Sequence, residues 1–137
     1  MRHLTQFGRN LVPLSPAGDN VGAGSANLSG GGPIVLYCDL AVDPRREQEM
    51  LHYFHQDFKP AAERFDGYID LKMVRLRKVI QGRPVPAEGI NYRFQLTYES
   101  EEKRQLWIAS EVHSRVWPLI ENTLIDKQYL VLLTDSI

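Results

Sequence analysis

The alternation of apolar and polar residues over positions 90–99 constrains the fold of this chain more than any other feature. Ile90, Tyr92, Phe94, Leu96 and Tyr98 alternate with Asn91, Arg93, Gln95, Thr97 and Glu99. Successive side chains of a strand point to opposite faces of a sheet. The segment therefore predicts a strand with one apolar face and one polar face, and such a strand is stable only when it pairs with others.

Three more segments have the composition of strands. Residues 34–42, 68–79 and 128–134 are rich in apolar and β-branched residues, as is typical of strands. Within residues 68–79 the apolar positions change face at Met73 and Val74, which predicts a β-bulge there. Apolar residues occupy both faces of the first and last of these strands, so both faces of the sheet are expected to be covered.

A first helix is predicted between the first two strands. Pro44 suits its first turn, and its apolar residues recur at spacings of three, four and seven before an Asp-Gly pair at 66–67 ends it. These spacings are typical of a helix with one buried stripe. Pro60 removes an amide donor inside the pattern, so we expect a kink or break near Phe58 and Lys59.

A second helix is predicted from Ser100, which is a favourable N-cap residue, through Trp117, with Pro118 beginning a further helical turn. Its broad inward face consists of Leu106, Trp107, Ala109, Ser110, Val112, His113, Val116 and Trp117. The element order is βαββαβ, and the predicted fold class is α+β of the ferredoxin-like type.

The N-terminal segment differs in composition from the remainder. Residues 15–33 are dominated by glycine, serine and other turn-forming residues, which lose much entropy on ordering and bury little apolar surface. We therefore expect residues 1–32 to form a flexible N-terminal arm and residues 33–137 to form one domain. Deletion of the arm is expected to leave folding intact.

Charge and hydropathy exclude several classes of function. Sixteen basic and seventeen acidic side chains give a formal charge of -1, so no nucleic-acid partner is expected. No apolar stretch approaches the roughly 20 residues of a membrane span, and no membrane partner is expected. The N-terminus lacks the apolar run of a signal peptide and Cys38 is the only cysteine, so we expect a cytoplasmic protein.

Two motifs resemble those of the antibiotic-biosynthesis monooxygenase superfamily. They are Phe58-Lys59-Pro60-Ala61 followed by Asp66-Gly67-Tyr68, and Trp107-Ile108-Ala109-Ser110-Glu111-Val112-His113 followed by Trp117. The similarity runs from about Ile34 to Leu133. It implies a dimeric α+β barrel with a small-molecule pocket between each sheet and its helices. It also implies activities that include the cofactor-independent oxygenation of aromatic polyketides and haem degradation.

The haem-degrading branch of that superfamily has an asparagine on the first strand, then a tryptophan and a histidine on the second helix. By spacing, Cys38, Trp107 and Trp117 occupy these positions, so only the tryptophan is retained. The axial imidazole that haem would need is absent from its expected position. We therefore expect no cofactor.

The partner predicted for this chain is a second copy of itself. A four-stranded sheet with two helices shields only one of its faces, and the other face needs cover. Val35 and Tyr37 on the first strand and Leu130 and Leu132 on the last supply apolar side chains for that second face. A symmetric homodimer is the commonest solution.

The candidate site lies between the second helix and the sheet. Trp107 and His113 are the candidate catalytic residues, and the candidate substrate-binding residues are Trp117, Ser110, Asn91 and Arg93. An imidazole beside indoles can orient an aromatic ligand or move a proton near neutral pH. The same residues would serve equally as packing between helix and sheet, and both interpretations stay open.

Other chemistries have weaker support in the sequence. His52 and His55 stand one helical turn apart, but no further ligand motif accompanies them, so no metal site is predicted. Cys38 lies in a strand without an adjacent base, which favours an inert buried thiol over a nucleophile.

Two functions remain on the sequence alone. One is a cofactor-independent monooxygenase-like enzyme that acts on a small aromatic or polyketide-like substrate. The alternative is a non-catalytic protein on the same dimeric fold that binds a small ligand or another molecule.

Overall fold

A computed structural model describes residues 32–82 and 89–137. Except for Gly32, the predicted N-terminal arm lies outside the described residues, so its flexibility stays a prediction. Residues 83–88 also lie outside them; they belong to the segment from Gln81 to Gly89, whose two glycines and two prolines predict a loop. Among the described residues, no helix is both long and apolar enough to cross a membrane.

The four predicted strands form one antiparallel sheet. Its strands are β1 (Ile34–Leu40), β2 (Tyr68–Arg75), β3 (Tyr92–Tyr98) and β4 (Leu130–Asp135). Their order across the sheet is β2-β3-β1-β4, and every neighbouring pair is antiparallel. With the helices described below, this order confirms the predicted ferredoxin-like βαββαβ fold. The strand that alternates most regularly in sequence, β3, is one of the two central strands.

The β-bulge lies elsewhere than the sequence suggested. The register between β2 and β3 shifts between Tyr68 and Asp70 and then continues unbroken past Met73 and Val74. The prediction of a bulge at Met73 and Val74 was therefore wrong. The apolar positions change face there because Val74 points to the sheet face that the helices leave open, where it is 43% exposed.

The first helical region is continuous but irregular. A 3₁₀ turn at Pro44–Arg46 leads into α1 (Glu47–Tyr53), a π-helical turn at Phe54–Phe58 and α2 (Lys59–Glu63). The Lys59 amide donates to the Phe54 carbonyl, five residues back. A proline in a helix cannot donate to the preceding turn, and the wider turn lies just before Pro60, where a kink or break was predicted. The helical region continues through that position, so the predicted break is absent.

The second helical region consists of two helices. They are α3 (Glu101–Ala109) and α4 (Glu111–Glu121), separated at Ser110, whose backbone is extended. The Ser100 hydroxyl accepts from the Lys103 amide at 3.2 Å, which confirms the predicted cap. Pro118 lies inside α4 rather than at the start of a new turn.

All helices lie on one face of the sheet. The core consists of side chains from that covered face together with the inward stripe of the helices. The opposite face, which we call the open face, carries Val35, Tyr37, Leu130 and Leu132, as the strand register requires. Leu130 is 55% exposed and Leu132 is 40% exposed. The predicted apolar surface on the second sheet face is therefore present.

Candidate functional site

A small cavity lies between α4 and the covered face of the sheet. Its volume is about 10 Å³, room for about one water molecule. Three sequence-predicted site residues, Trp107, His113 and Trp117, line it together. The other lining residues are Leu36, Cys38, Phe58, Phe94, Leu96 and Ile108. The cavity is therefore almost entirely apolar, and the polar groups of its described lining residues are one imidazole, one thiol and two indole N–H groups.

Ser110 sets the direction from which His113 enters this cavity. Its hydroxyl accepts from the His113 amide at 3.1 Å and donates to the Trp107 carbonyl at 2.7 Å. Ser110 thus caps α4 and ties it to the end of α3. The predicted residue belongs to the site as support for His113, and it does not line the cavity.

His113 is a buried imidazole with an unsatisfied nitrogen. The residue is 3% exposed, and its Nδ1 has no hydrogen-bond partner within the described part of the chain. Burial lowers the pKa of His113 to about 3, and the positive charge of Arg104 contributes to the shift. The imidazole is therefore neutral at physiological pH. An unpaired buried polar atom costs roughly 1 to 3 kcal/mol, a cost that a hydrogen-bond partner placed in the cavity would remove.

Aromatic rings enclose this imidazole. The His113 ring is stacked on Trp117 with the planes 17° apart, and the Trp107 ring meets it edge-on at 5.2 Å. Phe58, at the end of the π-helical turn, contacts both indoles at 5.7 Å between ring centroids. Rings at these separations suit an aromatic ligand, and they also pack well against one another.

Two polar residues hold the Trp117 ring in place. The Trp117 indole Nε1 donates to the Tyr129 hydroxyl at 2.9 Å, which donates to the buried Glu121 carboxylate at 2.9 Å. Burial and the Glu121 charge raise the pKa of Tyr129. The hydroxyl therefore stays protonated and keeps donating, which fixes the orientation of the indole against His113.

The thiol of Cys38 shows no sign of activation. Burial raises the pKa of Cys38, so the thiol stays protonated and is a poor nucleophile.

Nearby, the buried Arg104 guanidinium forms two hydrogen bonds with the Glu101 carboxylate, at 2.7 and 2.6 Å. A positive charge behind the cavity disfavours protonation of His113.

Asn91 and Arg93 do not join the other candidate residues. The Asn91 side chain exchanges two hydrogen bonds with the backbone of Val42, at 2.8 and 2.9 Å. Arg93 lies on the open face and binds Asp39 through Nε at 2.7 Å and Nη2 at 3.1 Å. The sheet thus separates Arg93 from the His113 cavity.

Sequence reasoning missed Phe58, Tyr129 and Glu121 as parts of this site. Phe58 is the last residue of the π-helical turn, and its motif Phe-Lys-Pro-Ala was the available signal. Tyr129 and Glu121 are joined by a contact between the end of α4 and the start of β4, which no local pattern reveals. The described residues contain no group of three or more His, Cys, Asp or Glu side chains able to hold a metal ion.

Comparison with solved structures identifies the fold. A candidate antibiotic biosynthesis monooxygenase from Caulobacter crescentus matches with a TM-score of 0.64 and 15% identity, over 81% of this chain and 95% of that one. A dimeric ferredoxin-like protein of unknown function from Jannaschia matches with a TM-score of 0.64 and 13% identity, over 77% of this chain and 100% of that one.

A third match is SnoaB, a cofactor-independent oxygenase from Streptomyces nogalater. Its TM-score is 0.54 and its identity 10%, over 77% of this chain and 91% of that one. No family model and no curated protein sequence matches the chain. The shared architecture therefore rests on structure, and this chain has the fold of the antibiotic-biosynthesis-monooxygenase-like proteins, as the sequence resemblance predicted.

Proposed function

We propose that this chain binds a small aromatic molecule beside His113 and oxidises it as a cofactor-independent monooxygenase-like enzyme. The observation that carries the proposal is the unsatisfied Nδ1 of a buried, neutral imidazole in a cavity walled by aromatic rings. The fold is shared with SnoaB, which is described as a cofactor-independent oxygenase. Perturbed titratable groups in apolar cavities are frequent at functional sites.

The lowered pKa of His113 assigns it an orienting role in this proposal. A neutral imidazole has one donor nitrogen and one acceptor nitrogen, so Nδ1 can bind a hydroxyl or carbonyl oxygen of the ligand. A proton placed on this ring would be unstable at neutral pH, because the pKa is about 3. His113 thus holds the substrate while Trp107 and Trp117 hold its ring.

The oxidation itself needs only the substrate and dioxygen. In a reaction of this class, an electron-rich phenol with a free ring position gives a quinone, and the substrate supplies the electrons. One oxygen atom bonds to the ring carbon and the other leaves as water. The apolar walls favour a neutral ligand, because a buried charge without a partner is costly.

The test is His113→Phe, which keeps an aromatic ring in the cluster and removes both nitrogens. Binding of 1-naphthol is measured by calorimetry, and turnover of naphthols is measured by oxygen consumption. We expect the variant to lose at least tenfold in affinity and to show no turnover. His55→Phe, an exposed position on the first helical region, is the matched control and should behave as the wild type.

Two results would contradict the proposal. One is equal naphthol affinity in wild type and His113→Phe, which would make His113 a packing residue. The other is the absence of naphthol binding to the wild type at millimolar concentration.

A second candidate function is a non-catalytic ligand-binding or interaction protein on the same fold. The cavity volume of about 10 Å³ favours the interaction protein within this alternative, because any aromatic ligand, whether or not it is oxidised, must displace side chains before it can enter. The oxygen measurement separates the two functions. Naphthol binding that depends on His113, without any oxygen consumption, would support the non-catalytic function.

We further propose that the chain forms a homodimer through the open face of its sheet. Leu130 and Leu132 of β4 are each at least 40% exposed there, next to Val35 and Tyr37 of the neighbouring strand β1, and exposed apolar surface of this kind marks protein interfaces. The Jannaschia protein of the same fold is described as dimeric. Sedimentation at micromolar concentration should show a dimer, and a monomer at every concentration would refute this arrangement.

A further inference from the structure

We infer that a groove at the end of the sheet binds a small carboxylate that carries an apolar body. The groove lies where β2 ends and β3 begins, and its volume is about 410 Å³. Small-molecule sites commonly have volumes of roughly 300 to 1,000 Å³. The inference goes beyond the proposed function and does not depend on it, because the sheet separates this groove from His113. Its open-face residues Val74 and Arg93 belong to β2 and β3, whereas Leu130 and Leu132 of the proposed dimer interface belong to β4, at the other edge of the sheet.

The groove is positively charged within a chain that is close to neutral. Among the described residues that line it, Arg75, Arg77 and Arg93 are basic and Asp39 is acidic, and Glu47 pairs with Arg75 from beside the lining. Three arginines against these two carboxylates leave one positive charge in excess, while the whole chain carries a formal charge of -1. A local excess of guanidinium groups attracts an anion. Arginine also matches the planar geometry of a carboxylate, since it can donate two parallel hydrogen bonds.

The ion pairs already present leave donors for a ligand. Arg93 uses Nε and Nη2 for Asp39, and Arg75 uses Nη1 for Glu47 at 3.0 Å. Each guanidinium has five N–H groups, so both side chains retain free donors. Arg77 is exposed and has no ion pair among residues 32–82 and 89–137, so its charge is available to a ligand.

The remaining walls suit an apolar body. Val74 is 43% exposed and Leu76 is 44% exposed, and Ile90 and Tyr92 complete the lining. A free inorganic anion would leave these walls in water. An aromatic or aliphatic group attached to the carboxylate would cover them and gain the hydrophobic contribution of that burial.

Hydrogen bonds at Asn91 form the groove in advance of any ligand. The Leu76 amide donates to the Asn91 carbonyl at 2.9 Å, and the Asn91 amide donates to the Leu40 carbonyl at 3.0 Å. The Asn91 side chain is also fixed, by its two bonds to Val42. A site held in place before binding pays less conformational entropy when the ligand arrives. The sequence assigned both Arg93 and Asn91 to substrate binding. Arg93 lines this groove, and Asn91 holds the backbone beside it in place.

The experiment is calorimetry of the full chain with three probes. 2-Naphthoate carries both the charge and the apolar body, 2-naphthamide carries the body without the charge, and inorganic phosphate carries charge without the body. We expect 2-naphthoate to bind and the other two probes to bind at least tenfold more weakly. Arg77→Gln should weaken naphthoate binding about tenfold, and the affinity should fall as salt rises.

A control variant locates the bound probe. Arg115→Gln makes the same change of charge at an exposed position of α4 and should leave naphthoate affinity unchanged. The inference is overturned if naphthoate does not bind. A second copy of the chain that fills the groove would give that result. It is also overturned if Arg77→Gln and Arg115→Gln behave alike.

Discussion

Acid sensitivity of the folded state follows from the burial of His113. An unfolded chain has an ordinary histidine pKa near 6.5, whereas the folded chain holds that of His113 at about 3. Between these values the unfolded state binds a proton that the folded state does not bind. The contribution of neutral His113 to the free energy of unfolding is therefore fully present above about pH 6.5, and it is lost progressively as the pH falls toward 3.

The size of the effect follows from the same two values. Each pH unit within that window is worth about 1.4 kcal/mol, so His113 should cost about 2 kcal/mol of unfolding free energy between pH 7.5 and pH 5. Carboxylates whose pKa is lowered in the fold, such as Asp43 and Glu47, act mainly below this range. His52 and His55 remain in the variant described next, so their contribution cancels in the comparison.

The measurement is urea unfolding of wild type and His113→Phe at pH 7.5, 6.5, 5.5 and 5, at one fixed protein concentration. Whatever the absolute stability of the variant, acidification should shift the difference in unfolding free energy between the two proteins by about 2 kcal/mol in favour of the variant. If both proteins lose the same free energy between pH 7.5 and pH 5, His113 is not a buried neutral imidazole and the reasoning fails.

Three further outcomes are expected. Leu132→Lys places a charge on the open face and should convert the proposed dimer to a monomer in sedimentation, whereas Leu106→Lys, at a helix position that is 60% exposed, should not. Gly67→Ala should lower the free energy of unfolding by more than about 1 kcal/mol, because Gly67 has φ of +98° and a Cβ there would lie 2.8 Å from Lys103. Gly82→Ala, with φ of +110° and no atom within 4 Å, should cost less in the same urea unfolding assay. Deletion of residues 1–32 should change the melting temperature by less than roughly 10 °C, and a larger fall would show that this segment is structural.

The strands were predictable because their patterns are local. The alternation in β3 and the apolar runs in β1 and β4 depend only on neighbouring residues and on the two-residue period of a strand. The sheet order confirms that interpretation. The break at Ser110 was not anticipated, because the inward-facing stripe continues through it and only the serine hydroxyl, which can compete with helical hydrogen bonds, marks the end of α3.

The site was only partly predictable, for a different reason. Spacing along one helix brings Trp107, His113 and Trp117 together, as the sequence suggested. Asn91 and Arg93 were wrongly expected beside them. Their true positions depend on which sheet face the helices cover and on which residues pair with the polar side chains near β3. Asp39 on β1 lies directly opposite Arg93 on the neighbouring strand β3. A pair of this kind depends on the register between strands and not on any local sequence pattern.

The π-helical turn at Phe54–Phe58 has a consequence for the length of this chain. Met50, Phe54, Phe58 and Ala62 are all buried at a constant spacing of four, whereas four residues of an ordinary α-helix overshoot one turn by about 40°. The wider turn absorbs that overshoot. Removing one exposed residue, Gln56, would leave the buried positions at the usual alternation of four and three, and the segment could close as a regular helix. This helix is therefore a place where homologous chains can differ by one residue while both of its ends, and the aromatic ring of Phe58 in the cavity, keep their positions.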